Sequence, residues 1–282
     1  MLLALGLLAA AAWSAGRQVD WSALKQITPS HWLLMIAAVL ANLLLTGAMF
    51  WAVTLCFDAK PRVTYWRMTL LITASALLNF LPLRPGLLGR AAVLKAHHQL
   101  PVRQSFLSLM VVLVVGTLVT LTIGLLAWLI PHAGWLAMAI GIATLILAAL
   151  AGPVATTLLR RPAKHAWCWV VFRVADALVA GLRLWIAFAI LGLDLDYRQA
   201  LIAGAGGLLI AMIGLTPNGL GLKEWFIALL MQSLSVTSWE QALGASLIDR
   251  GVEALVVVAA GLIALFCLRS LWKPQSDLPS HA

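Results

Sequence analysis

The hydrophobic residues of this chain fall into long runs with few charges between them. A helix needs about 20 apolar residues to cross the hydrocarbon core of a bilayer. Six runs are candidates for such spans, and the first is marginal in length: Met1–Gly16, His31–Phe57, Gln104–Ile130, Gly134–Leu158, Ala166–Leu193 and Gln241–Leu268. The pattern predicts an all-α polytopic membrane protein with about six spanning helices.

Two further hydrophobic runs are shorter, and each ends at a proline-glycine break. Met68–Leu83 leads into the break Leu81–Arg90, and Gln199–Leu215 leads into the break Thr216–Glu224. Proline removes a backbone donor and glycine relaxes the dihedral limits, so a helix cannot continue through either break. The 16 residues of the first run reach roughly 24 Å, less than a hydrocarbon core of about 30 Å. We therefore predict two re-entrant helical hairpins, with a spanning Met68–Leu83 as the alternative.

The two breaks divide the chain into corresponding halves. Half-repeat one covers roughly residues 31–130 and half-repeat two roughly residues 166–268, within a single transmembrane domain of residues 1–282. If both hairpins re-enter, the halves have opposite orientations in the membrane. A pair of interrupted hydrophobic segments at corresponding positions of two inverted halves is the sequence feature that best indicates a transporter's binding site.

The composition supports a membrane protein and gives its orientation. The chain is 63% hydrophobic and 10% charged, with a mean hydropathy of +1.00. Its net charge of +9 lies mostly in short loops, as orientation signals and lipid-headgroup contacts do, which argues against nucleic acid as a partner. With re-entrant hairpins and a cytoplasmic N-terminus, twelve Lys and Arg residues are cytoplasmic and three are outside. A spanning Met68–Leu83 changes this ratio to eleven and four.

The residues around the breaks are candidates for binding an anion. A helix that starts after a break inside the membrane presents unpaired N–H groups and the positive end of its dipole, which suit a phosphate. The alternative is that the breaks merely end helices at an interface. The predicted substrate-binding residues are Arg84, Gly86, Arg90, Pro217, Gly219, Gly221, Lys223, Glu224 and Arg250.

Charged residues inside the predicted spans form a second group of candidates. Each costs roughly 2.5–3.5 kcal/mol to insert, so a charged residue there is by default a functional one. The interior charges comprise four of each sign, which predicts mutual pairing. The alternative is a structural ion-pair network that locks helices together, or, for Arg173, a side chain that snorkels to the interface. The predicted charge network consists of Arg173, Asp176, Arg183, Asp249 and Glu253.

Sequence motifs of catalysis or cofactor binding are missing. The chain has no P-loop, no HExxH and no GxSxG sequence. The adjacent His97 and His98 point to different faces of a helix and make a poor metal pair. We therefore expect no enzymatic activity, no metal and no cofactor.

The two breaks resemble the membrane region of the lysylphosphatidylglycerol synthase family of flippase-like membrane proteins. The segment Pro217–Glu224 is similar to the family's Pro-Gly-Gly-x-Gly-x-x-Glu, with Asn218 replacing a glycine, and Arg250 falls where the family has an arginine. Pro82–Arg90 is similar to Pro-x-Arg-x-Gly-Glu-x-x-Arg, with Leu87 replacing the glutamate. The apolar Val114–Thr117 stands where the family has an acidic residue and an arginine, so the first half carries fewer charges.

The resemblance implies movement of an anionic or phosphate-bearing lipid between leaflets. From the breaks and the buried charges we expect Arg84, Arg90 and Arg250 to contact the phosphate. We expect Glu224, Asp249 and Glu253 to hold the cations in place or to bind a coupling proton. The alternative function is a non-transporting scaffold or regulator of an envelope lipid or glycan pathway. The expected partners are a phospholipid or other lipid-linked substrate, with a second copy or a pathway enzyme as further options. The expected location is the bacterial inner membrane, with both termini cytoplasmic.

Overall fold

The structure, a computed structural model, describes residues 2–18, 28–57, 63–81, 85–98, 102–158 and 166–271. The long elements in these ranges are α-helices. In chain order they are α1 (Leu2–Gln18), α2 (Pro29–Phe57), α3 (Tyr65–Leu78), α4 (Pro85–His98), α5 (Val102–Leu158), α6 (Ala166–Ile190), α7 (Tyr197–Ile213), α8 (Leu222–Ser233) and α9 (Trp239–Leu271).

Three of these helices contain a stretch long and apolar enough to cross a membrane. The stretches are Pro29–Leu55 in α2, Val102–Pro131 in α5 and Trp239–Arg269 in α9. The prediction of an all-α membrane protein is therefore confirmed. Within the described ranges, three of the six predicted spans meet the length and hydropathy of a crossing helix. Helix α6 is 25 residues long but carries three charged side chains.

The first break separates α3 from α4 as the sequence predicts. Helix α3 ends at Leu78, and α4 begins at Pro85, where proline's missing N–H costs no helical hydrogen bond. Gly86 then lies directly on α3: a Cβ there would clash with the Ser75 carbonyl oxygen and would sit 2.6 Å from Asn79 Oδ1. The two helices can meet this closely only because residue 86 has no side chain.

The second break is a tight turn between α7 and α8. Helix α7 ends at Ile213, and its C-cap Gly214 has a left-handed φ of 78°, a conformation that glycine adopts without strain. A short 3-10 helix, Pro217–Gly219, follows. Asn218 (φ 49°) and Gly221 (φ 79°) are also left-handed. Helix α8 therefore begins from an irregular backbone segment rather than continuing α7.

Helix α5 contains a sharp reversal at Gly134, where the backbone is not helical (φ 45°, ψ −112°). Gly141 lies after the reversal, and a Cβ on it would come within 2.5 Å of the Leu126 side chain. Fifteen residues of straight helix would separate these positions by about 22 Å. The chain thus turns back on itself between the two predicted runs Gln104–Ile130 and Gly134–Leu158.

The contacts of α2 with α3 recur between α6 and α7. Trp51 on α2 donates its indole N–H to the Val63 carbonyl at 3.2 Å. Trp185 on α6 donates in the same way to the Leu195 carbonyl at 2.9 Å. In each case a tryptophan of the long helix holds the segment that leads into the first helix of a hairpin.

A second pair of hydrogen bonds and a pair of glycines also recur between α2 and α3 and between α6 and α7. The Tyr65 hydroxyl, at the start of α3, donates to the Leu44 carbonyl at 3.2 Å. The Tyr197 hydroxyl, at the start of α7, donates to the Leu178 carbonyl at 2.8 Å. The backbones also approach closely at two glycines, because a Cβ would lie 2.9 Å from Cα of residue 69 at Gly47 and 3.0 Å from Cα of residue 201 at Gly181.

Helices α2 and α6 pack against each other. Helix α3 lies on α9, and α7 lies on α5. Helix α1 packs on α8 and α9, where Trp225 donates to the Leu7 carbonyl at 3.0 Å. This arrangement brings α6, α7, α8 and α9 together around the second break.

Candidate functional site

A polar cavity of about 110 Å³ lies between α6, α7, α8 and α9, beside the second break. Pockets that enclose a whole ligand usually have volumes of about 300–1,000 Å³. This cavity therefore suits a small polar group, such as the charged part of a larger molecule. Its polar lining residues are Arg183, Asn218, Lys223, Asp249, Arg250 and Glu253.

Arg183 on α6 pairs with two carboxylates of α9. Its guanidinium lies 2.7 Å from Asp249 Oδ1 and 2.8 Å from Glu253 Oε2. Asp249 and Glu253 are four residues apart, so they lie on the same face of α9 and both reach the arginine. Lys223 at the start of α8 approaches the same two carboxylates, at 3.1 Å from Asp249 Oδ2 and 3.7 Å from Glu253 Oε2.

Arg250 on α9 connects the backbone of the break to α8. Its Nε donates to Glu224 Oε1 at 2.7 Å, and its Nη2 donates to the Asn218 carbonyl at 2.8 Å. Its Nη1 lies 3.5 Å from Glu253 Oε1. The planar guanidinium has five N–H donors in a fixed arrangement, so Arg250 holds the left-handed Asn218 and the first turn of α8 at the same time.

The side chains of Arg183, Lys223, Glu224, Asp249, Arg250 and Glu253 form one electrically balanced group, which we call the cavity cluster. Its three cations match its three carboxylates. An unpaired charge in a low-dielectric interior is costly, whereas an ion pair with good geometry offsets part of the desolvation cost. Lys223 is the most exposed of the three cations, with 14% of its side chain accessible.

Two features of the cavity cluster bear on ligand binding. On the α7 side the cavity is lined by Gly204, Gly207, Leu208 and Ala211, and a Cβ on Gly207 would lie 3.0 Å from Lys223 Cε, so the glycine leaves space beside that cation. Glu224 is fully buried, yet its Oε2 has no hydrogen-bond partner among the residues that the structure describes. A buried polar atom without a partner usually marks strain, function or a bound molecule.

A second buried ion pair lies further along α6. Arg173 Nη1 contacts Asp176 Oδ2 at 2.7 Å, and Arg173 also donates to Thr120 Oγ1 of α5 at 2.8 Å and 3.0 Å. Asn42 of α2 donates to Asp176 Oδ1 at 2.8 Å and accepts from Arg183 Nη1 at 3.2 Å. All eight charged residues expected to pair do so, and Asn42 connects this pair to the cavity cluster.

The first break places its residues elsewhere. Arg90 on α4 is buried and lies over the Phe50 ring of α2, with its guanidinium carbon 4.0 Å from the ring centre. In the described ranges no carboxylate pairs with it and its Nε has no acceptor. Arg84 lies outside the described residues.

The predicted binding residues therefore separate into two groups. Six of them lie in or beside the second break: Pro217, Gly219, Gly221, Lys223, Glu224 and Arg250. Gly86 and Arg90 lie in the α3–α4 hairpin, where the contacts of Arg90 and Gly86 are to α2 and α3. Among the described residues, Arg90 contacts Phe50, whereas Arg250 contacts Glu224 and Asn218.

Sequence reasoning missed Asn42 and the role of the Asn218 carbonyl. Asn42 is recognisable from the sequence as an interhelical contact, because an amide inside an apolar helix normally hydrogen-bonds to a neighbouring helix. Its partner could not be read from the sequence. The Asn218 carbonyl had no signal, because its direction depends on the left-handed backbone at that residue.

The comparisons with known proteins agree with the architecture. A family profile described as the lysylphosphatidylglycerol synthase TM region matches residues 1–181, more than half of the chain. The chain belongs to this family. The predicted membership of this family is therefore confirmed, and the matched residues contain the first break but not the second. No curated protein and no solved structure matches the chain.

Membership of the lysylphosphatidylglycerol synthase transmembrane family, together with the three apolar helices, identifies an integral membrane protein. The matched residues include Asn42, Arg90, Arg173 and Asp176. The match ends within α6, before Arg183. The cavity cluster thus has to be interpreted from its own geometry.

Proposed function

We propose that this protein moves a lipid with an anionic or otherwise phosphate-bearing headgroup between the leaflets of the membrane. The observation that carries the proposal is the cavity cluster, in which five of the six charged side chains line a small cavity at a break between two short helices. Buried charges in membrane helices are costly and typically line substrate or ion routes. The family name adds support, because it refers to the synthesis of a phospholipid.

In this proposal the headgroup binds in the cavity and the acyl chains stay in the bilayer. Lys223 contacts the phosphate, because it is the most accessible cation of the cavity cluster. Arg250 shapes the site by holding the Asn218 carbonyl. Helix α8 begins at Leu222, next to the cavity-lining Lys223, and helix N-termini favour anions. The proposal includes no enzymatic step, no metal and no cofactor.

We further propose that the chain consists of two inverted half-repeats, roughly residues 31–130 and 166–268, each with a re-entrant hairpin. The recurring tryptophan and tyrosine hydrogen bonds support this arrangement. The crossed packing of α3 on α9 and α7 on α5 also supports it. Helices α3 and α4 have 14 residues each, roughly 21 Å of helix, less than the hydrocarbon core of about 30 Å.

The proposed location is the bacterial inner membrane with both termini in the cytoplasm. The excess of Lys and Arg in the loops assigned to that side supports this orientation, because basic residues are retained on the cytoplasmic side. The proposed partner in this membrane is a phospholipid or another lipid-linked molecule.

A leaflet-accessibility assay tests the proposal. Purified protein is reconstituted into vesicles with a fluorescent phospholipid, and a membrane-impermeant quencher reports the outer-leaflet fraction over time. Loss of one charged hydrogen bond corresponds to about 1.5–3 kcal/mol, so Lys223→Gln should slow the exchange by about tenfold or more. Arg198→Gln is the matched control, because Arg198 forms an exposed pair with Asp196 and should leave the rate unchanged.

Exchange at the wild-type rate in Lys223→Gln, Arg250→Ala and Glu224→Gln would contradict the assignment of the site. A non-transporting lipid-binding scaffold is the second candidate function, favoured by the complete pairing of the cavity cluster, since paired charges also lock helices together. That function predicts lipid binding by the purified protein with no exchange above protein-free vesicles.

A further inference from the structure

We propose that Asn42 is a positioning residue that joins the Arg173–Asp176 pair and the cavity cluster into one electrostatic unit. The inference rests on the proposed lipid transport for its functional consequence. Asn42 lies on α2, and both ends of its amide are engaged with α6. It belongs to neither ion-pair group itself.

The amide is held from both directions. Its Nδ2 donates to Asp176 Oδ1 at 2.8 Å and to the Asp176 carbonyl at 3.0 Å. Its Oδ1 accepts from Arg183 Nη1 at 3.2 Å. Because one end must donate to an anion and the other must accept from a cation, these partners define a single amide orientation.

The connection extends across four helices. On one side, Asp176 binds Arg173, which reaches Thr120 on α5. On the other side, Arg183 binds Asp249 and Glu253 on α9. A displacement of Arg183 when a headgroup binds would therefore change the hydrogen bonds of Asp176 through Asn42.

Only an amide satisfies both neighbours at this position. A leucine would leave Asp176 without a donor and Arg183 without an acceptor. An aspartate would accept from Arg183 but would place a second carboxylate beside Asp176, in a place where charges are weakly screened. It would also disturb the balance of four cations and four carboxylates in the connected groups.

The positions of Asn42 and Asp176 are related in the chain. They are 134 residues apart, and the same spacing separates Trp51 from Trp185 and Leu44 from Leu178, which make the recurring hydrogen bonds. Asn42 and Asp176 thus occupy equivalent places in the two halves and contact each other. Exchanging the two residues should keep the contact and the total charge.

The test swaps the residues at positions 42 and 176. N42D, D176N, N42L and the double variant N42D/D176N are reconstituted at equal amounts of folded protein, and lipid exchange is measured with the fluorescent phospholipid. N42L, N42D and D176N each lose a charged hydrogen bond or a balanced charge, so exchange should fall by about tenfold. In the double variant, the carboxylate at position 42 accepts from Arg183 and the amide at position 176 accepts from Arg173, so exchange should return to within about threefold of wild type.

Thr54→Val is the matched control on the same helix. Its hydroxyl donates to the Trp51 carbonyl within α2, so this variant removes a polar group without affecting another helix and should exchange lipid at the wild-type rate. If the single variants only disturbed packing, the double variant N42D/D176N would not restore the rate of lipid exchange. Wild-type exchange in N42L, or no recovery in the double variant, overturns the inference.

Thermal unfolding of the same variants in detergent separates this inference from the transport proposal. If wild-type protein exchanges no lipid above protein-free vesicles, the transport proposal fails, and the unfolding midpoints still decide whether Asn42 joins the two groups. A midpoint of N42D/D176N above those of both single variants supports the joining role. A midpoint no higher than that of the less stable single variant overturns it.

Discussion

At the scale of single residues, Arg250 shows how a buried charge can determine backbone structure. Its guanidinium binds Glu224, Glu253 and the carbonyl of the left-handed Asn218. Two of these partners belong to the segment in which the chain changes from α7 to α8. Proline and glycine therefore permit the break in the helix, and the arginine stabilises it.

Removing Arg250 should leave Glu224 as an uncompensated buried carboxylate. Breaking a buried ion pair costs about 3–5 kcal/mol, most of it from the remaining charge. We expect Arg250→Met to lower the thermal unfolding midpoint strongly, and Arg250→Met with Glu224→Gln to restore part of the loss. Differential scanning fluorimetry in detergent measures both midpoints.

The control for this comparison is Arg198→Gln, because the Arg198–Asp196 pair is at the surface and such pairs contribute at most about 1 kcal/mol. If adding Glu224→Gln fails to raise the midpoint of Arg250→Met, Glu224 is not the group that makes the arginine necessary.

The sequence was informative about which residues at the site are charged and uninformative about how they meet. Arg250 and Glu224 stand out because charges are rare in hydrophobic runs. The pairing of Lys223 with Asp249, 26 residues away, depends on the angle between α8 and α9, which no local pattern encodes. Arg90 stood out in the same way, yet its contact is an aromatic ring on α2.

At the scale of elements, the two hairpins depend on glycine in different ways. In the second, Gly219 and Gly221 supply left-handed backbone at the turn. In the first, Gly86 permits α4 to lie on the end of α3. Both helix interruptions could be predicted from proline and glycine alone. The close approach at Gly86 could not, because it depends on where α3 lies.

The contrast between Gly86 and Gly89 provides a test within one helix. A Cβ at Gly86 would clash with the Ser75 carbonyl oxygen, whereas nothing lies within 4 Å of a Cβ at Gly89. Gly86→Ala should therefore lower the unfolding midpoint because α4 must move away from α3. Gly89→Ala should leave it unchanged or raise it, since alanine favours a helix over glycine by about 0.5–1 kcal/mol.

Equal midpoints for Gly86→Ala and Gly89→Ala would contradict the packing of the first hairpin. The pair is well matched, because both glycines lie in α4 and both substitutions add one methyl group. The comparison also separates the contact between the helices from the propensity of α4 to form, which changes in the same direction for both variants.

At the scale of the whole molecule, the cavity cluster is neutral although the chain carries a net charge of +9. The cluster has three cations and three carboxylates, and all of them except Glu224 line a cavity of about 110 Å³. A headgroup with both a phosphate and an ammonium can pair with cations and carboxylates of the cluster at the same time, so it adds no net charge to the cavity. A headgroup with phosphate alone adds an uncompensated negative charge in a low-dielectric place.

We therefore expect a zwitterionic phospholipid to be exchanged faster than an anionic one. Vesicles that contain acyl-labelled phosphatidylethanolamine or acyl-labelled phosphatidylglycerol in the same host lipid allow the comparison, because the label leaves both headgroups unmodified. A difference of about tenfold corresponds to roughly 1.4 kcal/mol of barrier. Faster exchange of the anionic lipid would show that the charge balance of the cavity does not select the headgroup.

The recurring bonds of Trp51, Tyr65, Trp185 and Tyr197 have a consequence for biosynthesis. The first two residues make the hydrogen bonds between α2 and the start of α3, and the last two make those between α6 and the start of α7. The N-terminal half can thus secure its hairpin while the ribosome is still translating the remainder. We therefore expect the bonds of Trp51 and Tyr65 to form without α6 and α7, because both partners of each bond lie between residues 44 and 65.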